Sequence, residues 1–216
     1  MSRDGAGDVV ILKTATAEVA QIDTRIVFTG LVGLVALERL VELLLSRRNA
    51  ARALLRGGVE HGRGHYRWMV LAHTTFLGAC VAEVWLLDRP FVPLLGLPML
   101  LLVVFTMALR YWVVWTLGER WNTRVICVPG DSPIDSGPFR LIRHPNYLAV
   151  ILELAALPLV HCAWLSAVVF GIVNAAILRV RIAVEERALA TSSEYDAVFC
   201  HRARLVPTLR PQGRHE

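Results

Sequence analysis

The stretch Gly137-Pro138-Phe139-Arg140-Leu141-Ile142-Arg143-His144-Pro145-Asn146-Tyr147 sets three basic side chains directly before a proline. Proline suits the first turn of a helix, where its missing N–H costs nothing. A helix start with free N–H groups, flanked by Arg140, Arg143 and His144, is an anion site. The plainer alternative is a set of interfacial arginines meeting lipid phosphates. A second cluster follows at Arg179, Arg181, Glu185, Glu186 and Arg187. At about 100° per residue, Asn174, Arg181 and Glu185 share one helix face, and Arg179 and Glu186 another. Arg181 and Glu185 could equally be an ordinary i,i+4 surface pair. A third group is Glu153. It lies seven residues beyond Asn146, so it returns to within about 20° of the same face, about 10 Å deeper. A lone carboxylate at that depth is costly unless paired or neutral. Either it pairs with an inward residue such as Arg110, or it serves as a base for a phenolic or enolic hydroxyl.

These residues must be positioned by apolar helices. Of 216 residues, 55% are hydrophobic and 19% charged, against about 45–50% and about 25% in soluble domains. The apolar residues come in long blocks, which argues for a membrane protein. Ile26–Leu45 is the first expected span, unusual in carrying Glu38, Arg39 and Glu42. Trp68–Leu87 is the second, with His73 and Glu83, and Phe91–Leu117 the third, with Pro93, Pro98 and Arg110. The block Tyr147–Leu178 has 32 residues, about 48 Å as one helix, against a hydrocarbon core of ~30 Å. Pro158 and His161-Cys162 predict a break into helices over 146–159 and 163–189, the turn lying inside the bilayer but buried in protein. Between the third and fourth spans, the turn signals Pro129-Gly130 and Ser136-Gly137-Pro138 predict a short β-hairpin of Arg124–Val128 with Phe139–Ile142. Gly57–Gly64 is expected to be a flexible loop. The resulting fold class is an all-α integral membrane protein of about five transmembrane helices. A cytosolic β-hairpin and a C-terminal cytosolic segment complete it. The chain divides into a tail (1–25), three helices (26–117) and a catalytic region (118–216).

The formal net charge is +5, and 22 of the 23 basic residues are arginine. No groove-reading motif or basic–aromatic stripe accompanies it, so a nucleic-acid partner is not expected. Six arginines lie in 46–67, four in 118–145 and seven after Leu178, but one in 88–90. By the positive-inside rule, five helices with the N-terminus outside place every arginine-rich segment in the cytoplasm. Cys80, Cys127, Cys162 and Cys200 form no Cys-x-x-Cys pair, so no metal is expected. No signal peptide is expected, since the first apolar block follows a mixed-charge tail.

The run Gly-Pro-Phe-Arg-x-x-Arg-His-Pro-Asn-Tyr, then an apolar hairpin, then Arg181-Ile182-x-x-Glu185-Glu186-x-x-Leu189 and Glu194-Tyr195 before Pro207, resembles the isoprenylcysteine carboxyl methyltransferase superfamily. It is also similar to membrane phospholipid methyltransferases. The resemblance covers roughly residues 100–207. It implies S-adenosylmethionine bound on the cytosolic side, enclosed by the hairpin loop, the start of the fourth helix and the C-terminal segment, and held by Arg143, His144, Pro145, Tyr147, Glu185 and Glu186. Arg143, His144 and the helix start can meet its carboxylate. Glu185, Glu186 and the face of Tyr147 or Tyr195 can meet its cationic groups. Glu153 and Arg181 are the candidate catalytic residues. No Gly-rich turn follows a strand, which excludes the soluble methyltransferase fold.

The sequence also departs from the prenylcysteine enzymes, with Val198 at a usual second tyrosine and Ala149 at a usual glycine. The run Asn146–Glu153 more closely resembles bacterial members that accompany type III polyketide synthases and methylate alkylresorcinol or alkylpyrone lipids. The expected activity is thus O-methyl transfer to a lipophilic acceptor at a bacterial inner membrane. Prenylcysteine carboxyl or phospholipid methylation is the alternative. The buried charges Glu38, Arg39, Glu42, Glu83, Arg110 and Glu153 leave a small transporter as a rival of another class. A haem protein using His73 and His161, or a non-catalytic scaffold, is a further one.

Overall fold

The computed structural model describes residues 23–192 and 194–206. The expected N-terminal tail lies outside the described residues up to position 22, as do Pro207 and everything after it. Helix α1 runs Thr24–Leu55, α2 Arg63–Leu86, α3 Pro93–Leu117, α4 Pro145–Leu159, α5 Trp164–Ser192 and α6 Tyr195–Phe199. Strands β1 (Val59–His61) and β2 (Val125–Cys127) pair antiparallel, with Glu60 opposite Ile126. Among the described residues, three helical stretches are long and apolar enough to cross a membrane: Tyr66–Leu86, Pro93–Arg120 and Trp164–Thr191. The charged residues of α1 and the shortness of α4 keep those two outside that set.

Three expectations change. The first helix does not stop near Leu45. It continues to Leu55 because Ala50, Ala51 and Ala53 favour helix and no glycine or proline intervenes before Gly57, which sits at φ +81°. The expected hairpin of 124–128 with 139–142 does not form. Residues 137–140 make a 3₁₀ turn, and β2 instead pairs with Val59–His61, inside the supposed loop. Gly137 explains part of this. Its φ is +56°, and a Cβ there would lie 2.4 Å from Thr116 Oγ1, so the segment is seated tightly against the end of α3 rather than extended as a strand. Gly57–Gly64 is correspondingly no mere flexible loop, since its middle carries β1.

The break after Pro158 occurs as expected. Helix α4 has 15 residues, about 22 Å, short of the ~30 Å core. The turn is closed by Ala163 N donating to Pro158 O at 2.9 Å, with Cys162 at φ +55°. It packs against α3 at Gly96, where a Cβ would meet Val160 O at 2.6 Å. Glu83 of α2 explains itself here. Its carboxylate accepts the N–H groups of Leu165 (3.1 Å) and Ser166 (2.7 Å), capping α5, and pairs with Arg89 at 2.9 Å. A carboxylate on a helix N-terminus satisfies orphan donors and meets the helix dipole.

The core of the bundle is formed by Phe28 and Val35 of α1, Phe76 and Val84 of α2, Val103 of α3, and Leu154 and Leu157 of α4. Thr24–His161 and Arg25–Asp88 contacts mark one end. The other end gathers the C-terminus of α1, the sheet, the 118–145 segment and the last turns of α5. All the arginine-rich segments that the structure describes therefore lie at one end of the bundle.

Candidate active site

At the arginine-rich end, polar side chains of α1 fix the loop after α3. Asn49 Nδ2 donates to Trp121 O at 2.8 Å, and Ser46 Oγ donates to Asn122 Oδ1 at 2.7 Å while accepting Thr123 N at 2.9 Å. The sheet continues this wall. The C-terminal segment closes the opposite side. Arg143 N donates to Ala203 O (2.9 Å) and His144 N to Arg204 O (3.0 Å). Arg143 Nε donates to Arg202 O at 2.7 Å, and Arg202 reaches back to Phe139 O at 2.8 Å.

A cavity of about 230 Å³ lies between these walls. Arg143, His144, Pro145 and Tyr147 line it from the start of α4, and Arg181 and Glu185 from α5. Six of the eight residues singled out in the sequence are thus brought together. Tyr147 Oη donates to Glu185 and accepts Arg181 Nε at 2.8 Å; Arg181 Nη2 also donates to Thr123 O. The Arg181–Glu185 spacing is therefore not a surface pair, because both grip one buried phenol. The wall is also partly unsatisfied. Asn146 Oδ1 and Tyr195 Oη are buried without a hydrogen-bond partner among the described residues. Burial, reinforced by the Glu186 and Glu185 carboxylates, pushes the Tyr195 phenol well above its ordinary range, so it stays a neutral donor. Buried polar groups are normally paired, so these two fit a wall that receives a polar ligand.

Glu186 does not line the cavity. It stands behind His144, accepting from its Nε2 at 3.0 Å and pairing with Arg204 at 2.7 Å. It therefore orients the ring and ties down the C-terminal segment. Glu153 also lies off the cavity wall. Arg110 Nη2 reaches it at 3.1 Å and Arg39 Nη2 at 3.6 Å. The inward partner anticipated for it is present, joined by a second arginine from α1.

The expectation that the segment around Arg124–Val128 and the C-terminal segment enclose the site agrees with the cavity lining, which includes β2 and Phe199, but sequence reasoning singled out neither Trp121 and Asn122 nor Phe199 as walls. The signal was available in part. Ser46 and Asn49 are polar residues on the buried side of an apolar helix, which need partners. Nothing local identifies what those partners are.

A model of the isoprenylcysteine carboxyl methyltransferase (ICMT) family matches residues 99–191, which hold Arg143 through Glu186. The chain is 35% identical over 163 residues to the uncharacterized protein YpbQ of Bacillus subtilis, covering 75% of this chain and 96% of that one. It is 30% identical over 155 residues to an uncharacterized protein of Haemophilus influenzae, covering 70% of this chain and 88% of the relative.

Proposed function

Since the chain belongs to the isoprenylcysteine carboxyl methyltransferase family, and is thereby an integral-membrane methyltransferase, we propose that it moves a methyl group from S-adenosylmethionine to the hydroxyl of a lipophilic acceptor. The acceptor class is an alkylresorcinol or alkylpyrone. Members of the family use S-adenosylmethionine, and the residues here suit it. Glu185 and the face of Tyr147 would attract its ammonium and sulfonium. The start of α4 would meet its carboxylate, with Arg143 and His144 holding that turn against the C-terminal segment. Tyr195 Oη and Asn146 Oδ1 supply one donor and one acceptor for the remaining polar atoms.

The observation that carries the reading is the Tyr147–Glu185–Arg181 network on the wall of a cavity closed by the C-terminal segment. S-adenosylmethionine held there would supply an electrophilic methyl, and a hydroxyl acceptor would have to give up its proton to a group of the protein. Glu153 is the group we assign to that proton. Arg181 fixes Tyr147 and faces the reacting groups from α5. Tight positioning and exclusion of water account for much of the acceleration. A carboxylate acceptor would release no proton and need no base, so a proton-accepting role for Glu153 goes with a hydroxyl acceptor.

The assignment is tested at the cofactor. His144→Ala, Tyr147→Ala and Glu186→Ala should each weaken S-adenosylhomocysteine binding by about ten- to a hundredfold, the loss of a charge-assisted hydrogen bond, with the protein still folded. Unchanged calorimetric affinity in all three would refute the site. The acceptor is tested by labelled methyl transfer to a panel of lipid phenols, pyrones and prenylcysteines.

The membrane is the bacterial inner membrane, and the cavity faces the cytoplasm. The clustering of arginines at the cavity end supports this orientation. Reporter fusions after Arg56 and after Arg210 should both read cytoplasmic, and a periplasmic signal at either point would reverse the topology.

A further inference from the structure

Deep in the bundle lies a charge cluster that the methyl-transfer reading uses only at Glu153. Helix α1 contributes Glu38, Arg39 and Glu42, α3 contributes Arg110, and α4 contributes Glu153. Arg39 Nη1 pairs with Glu42 Oε2 at 2.8 Å and Arg39 Nη2 with Glu38 Oε2 at 3.0 Å, while Arg110 Nη1 reaches Glu42 Oε2 at 3.5 Å. His73 of α2 and Tyr111 of α3 stand nearby. Helix α1 makes its close backbone approaches chiefly to α2 and the sheet, so these side chains themselves span much of the gap to α3 and α4.

Two features set this cluster apart from a closed structural ion pair. First, its hydrogen-bonding is incomplete. Glu38 Oε1, Glu42 Oε1, Arg39 Nε and Arg110 Nε are buried and have no hydrogen-bond partner among the described residues. The side chains of Glu42 and Arg110 are 9% and 6% exposed. Two unmet acceptors and two unmet donors thus stand in one buried cluster, where each unmet group is costly. Second, three carboxylates face two guanidiniums, so the ionised cluster carries one surplus negative charge. In a low-dielectric interior that surplus repels an anion strongly.

We propose that the Glu38-Arg39-x-x-Glu42 segment of α1, with Arg110, is the headgroup site of the lipid acceptor and selects a neutral hydroxyl-bearing ring over a carboxylate. The proposal rests on the methyltransferase reading and adds the group that sets acceptor class. A ring hydroxyl donates to Glu42 Oε1, and a neighbouring ring oxygen accepts from Arg39 Nε or Arg110 Nε. A carboxylate offers acceptors only and would add a second surplus charge. Leu37 and Val41 stay exposed on the same helix, leaving apolar surface for an alkyl tail. The segment lies outside the residues matched by the family model, so it can differ among members that share the cofactor site.

The test measures binding of a 5-alkylresorcinol, and of a fatty acid of equal chain length, to the full-length protein in detergent micelles, alongside S-adenosylhomocysteine. The wild type should bind the resorcinol at least tenfold more tightly than the fatty acid. Glu42→Gln and Glu38→Gln, which each remove the surplus charge, should shrink that preference severalfold or more, with cofactor affinity unchanged as the check on folding. Equal binding of the two lipids by the wild type, or a preference that survives intact in both variants, overturns the proposal. A preference that behaves as described in a protein with no affinity for S-adenosylhomocysteine would sustain the headgroup site and sink the methyltransferase reading instead.

Discussion

Arg110→Met is expected to lower the thermal midpoint of the purified protein in detergent by about 6–20 °C. The Arg110 side chain is 6% exposed, and its guanidinium joins Glu42 of α1 to Glu153 of α4. Methionine fills similar volume, so packing changes little, but the charge balance changes from three carboxylates against two guanidiniums to three against one. Removing one partner of a buried pair typically costs about 3–5 kcal/mol, because the remaining charge is left uncompensated. That is a large share of a total stability of about 5–15 kcal/mol. At about 2–4 °C per kcal/mol for a chain of this size, the range above follows. The attribution is checked by the double variant Arg110→Met, Glu153→Met. If uncompensated charge is the cause, removing the second partner should restore most of the loss. An Arg110→Met protein as stable as the wild type would show that the cluster is hydrated well enough to need no partner.

The parts of this molecule that announced themselves in the sequence are those fixed by one physical effect at a time. Pro145 opens α4 because only a helix start tolerates a proline without cost. Pro158 and the polar His161-Cys162 pair end α4 because a single helix through Leu178 would be far too long for the bilayer. Glu153 demanded a partner at its depth, and Arg110 is there. The small sheet was half legible. Val125–Cys127 falls within the strand expected over 124–128, but Val59–His61 carries too little alternation to be recognised, and whether β2 pairs forward with 139–142 or backward with Val59–His61 depends on where α1 ends. That end was misplaced by ten residues, since arginines 47, 48 and 52 look like a loop to a hydropathy reading although their neighbours are strong helix formers.

The site divides in the same way. Tyr147, Arg181 and Glu185 could be grouped from helix periodicity and the motif, and they do form one hydrogen-bonded unit. Glu186 could be grouped with them but not assigned its duty. Periodicity says which face a residue occupies, but not that the space before it is taken by the His144 ring. The enclosing role of the C-terminal segment was implied by the family resemblance, but the backbone bonds at Arg143 and His144 that hold it there leave no trace in side-chain type.

Glu153→Gln is expected to lower turnover about a hundredfold or more at neutral pH while leaving S-adenosylhomocysteine affinity unchanged. Glutamine keeps the shape of the side chain and can still accept a hydrogen bond from Arg110, so the bundle should hold together; what it loses is the capacity to take a proton. General-base catalysis contributes typically about 10²–10⁴-fold, which sets the scale of the loss. The position fits the role in one respect and strains it in another. Glu153 shares the face of Asn146, a cavity-lining residue, about 10 Å deeper by helix rise, so an acceptor reaching up from the lipid would pass it. Yet Arg110 and Arg39 both hold its carboxylate, and a carboxylate shared by two guanidiniums is a weaker base than a free one. The surplus glutamate of the cluster eases this, since Glu42 draws on the same two arginines. The pH profile separates a base from a strut. A phenol ionises unaided near pH ~10, so a variant lacking only the base should regain turnover as pH rises toward that value, whereas a variant with a distorted site should not. The wild type, which has its base, should gain much less over the same interval. If Glu153→Gln turns over like the wild type at every pH, the proton goes elsewhere and Glu153 serves only to pair with the arginines.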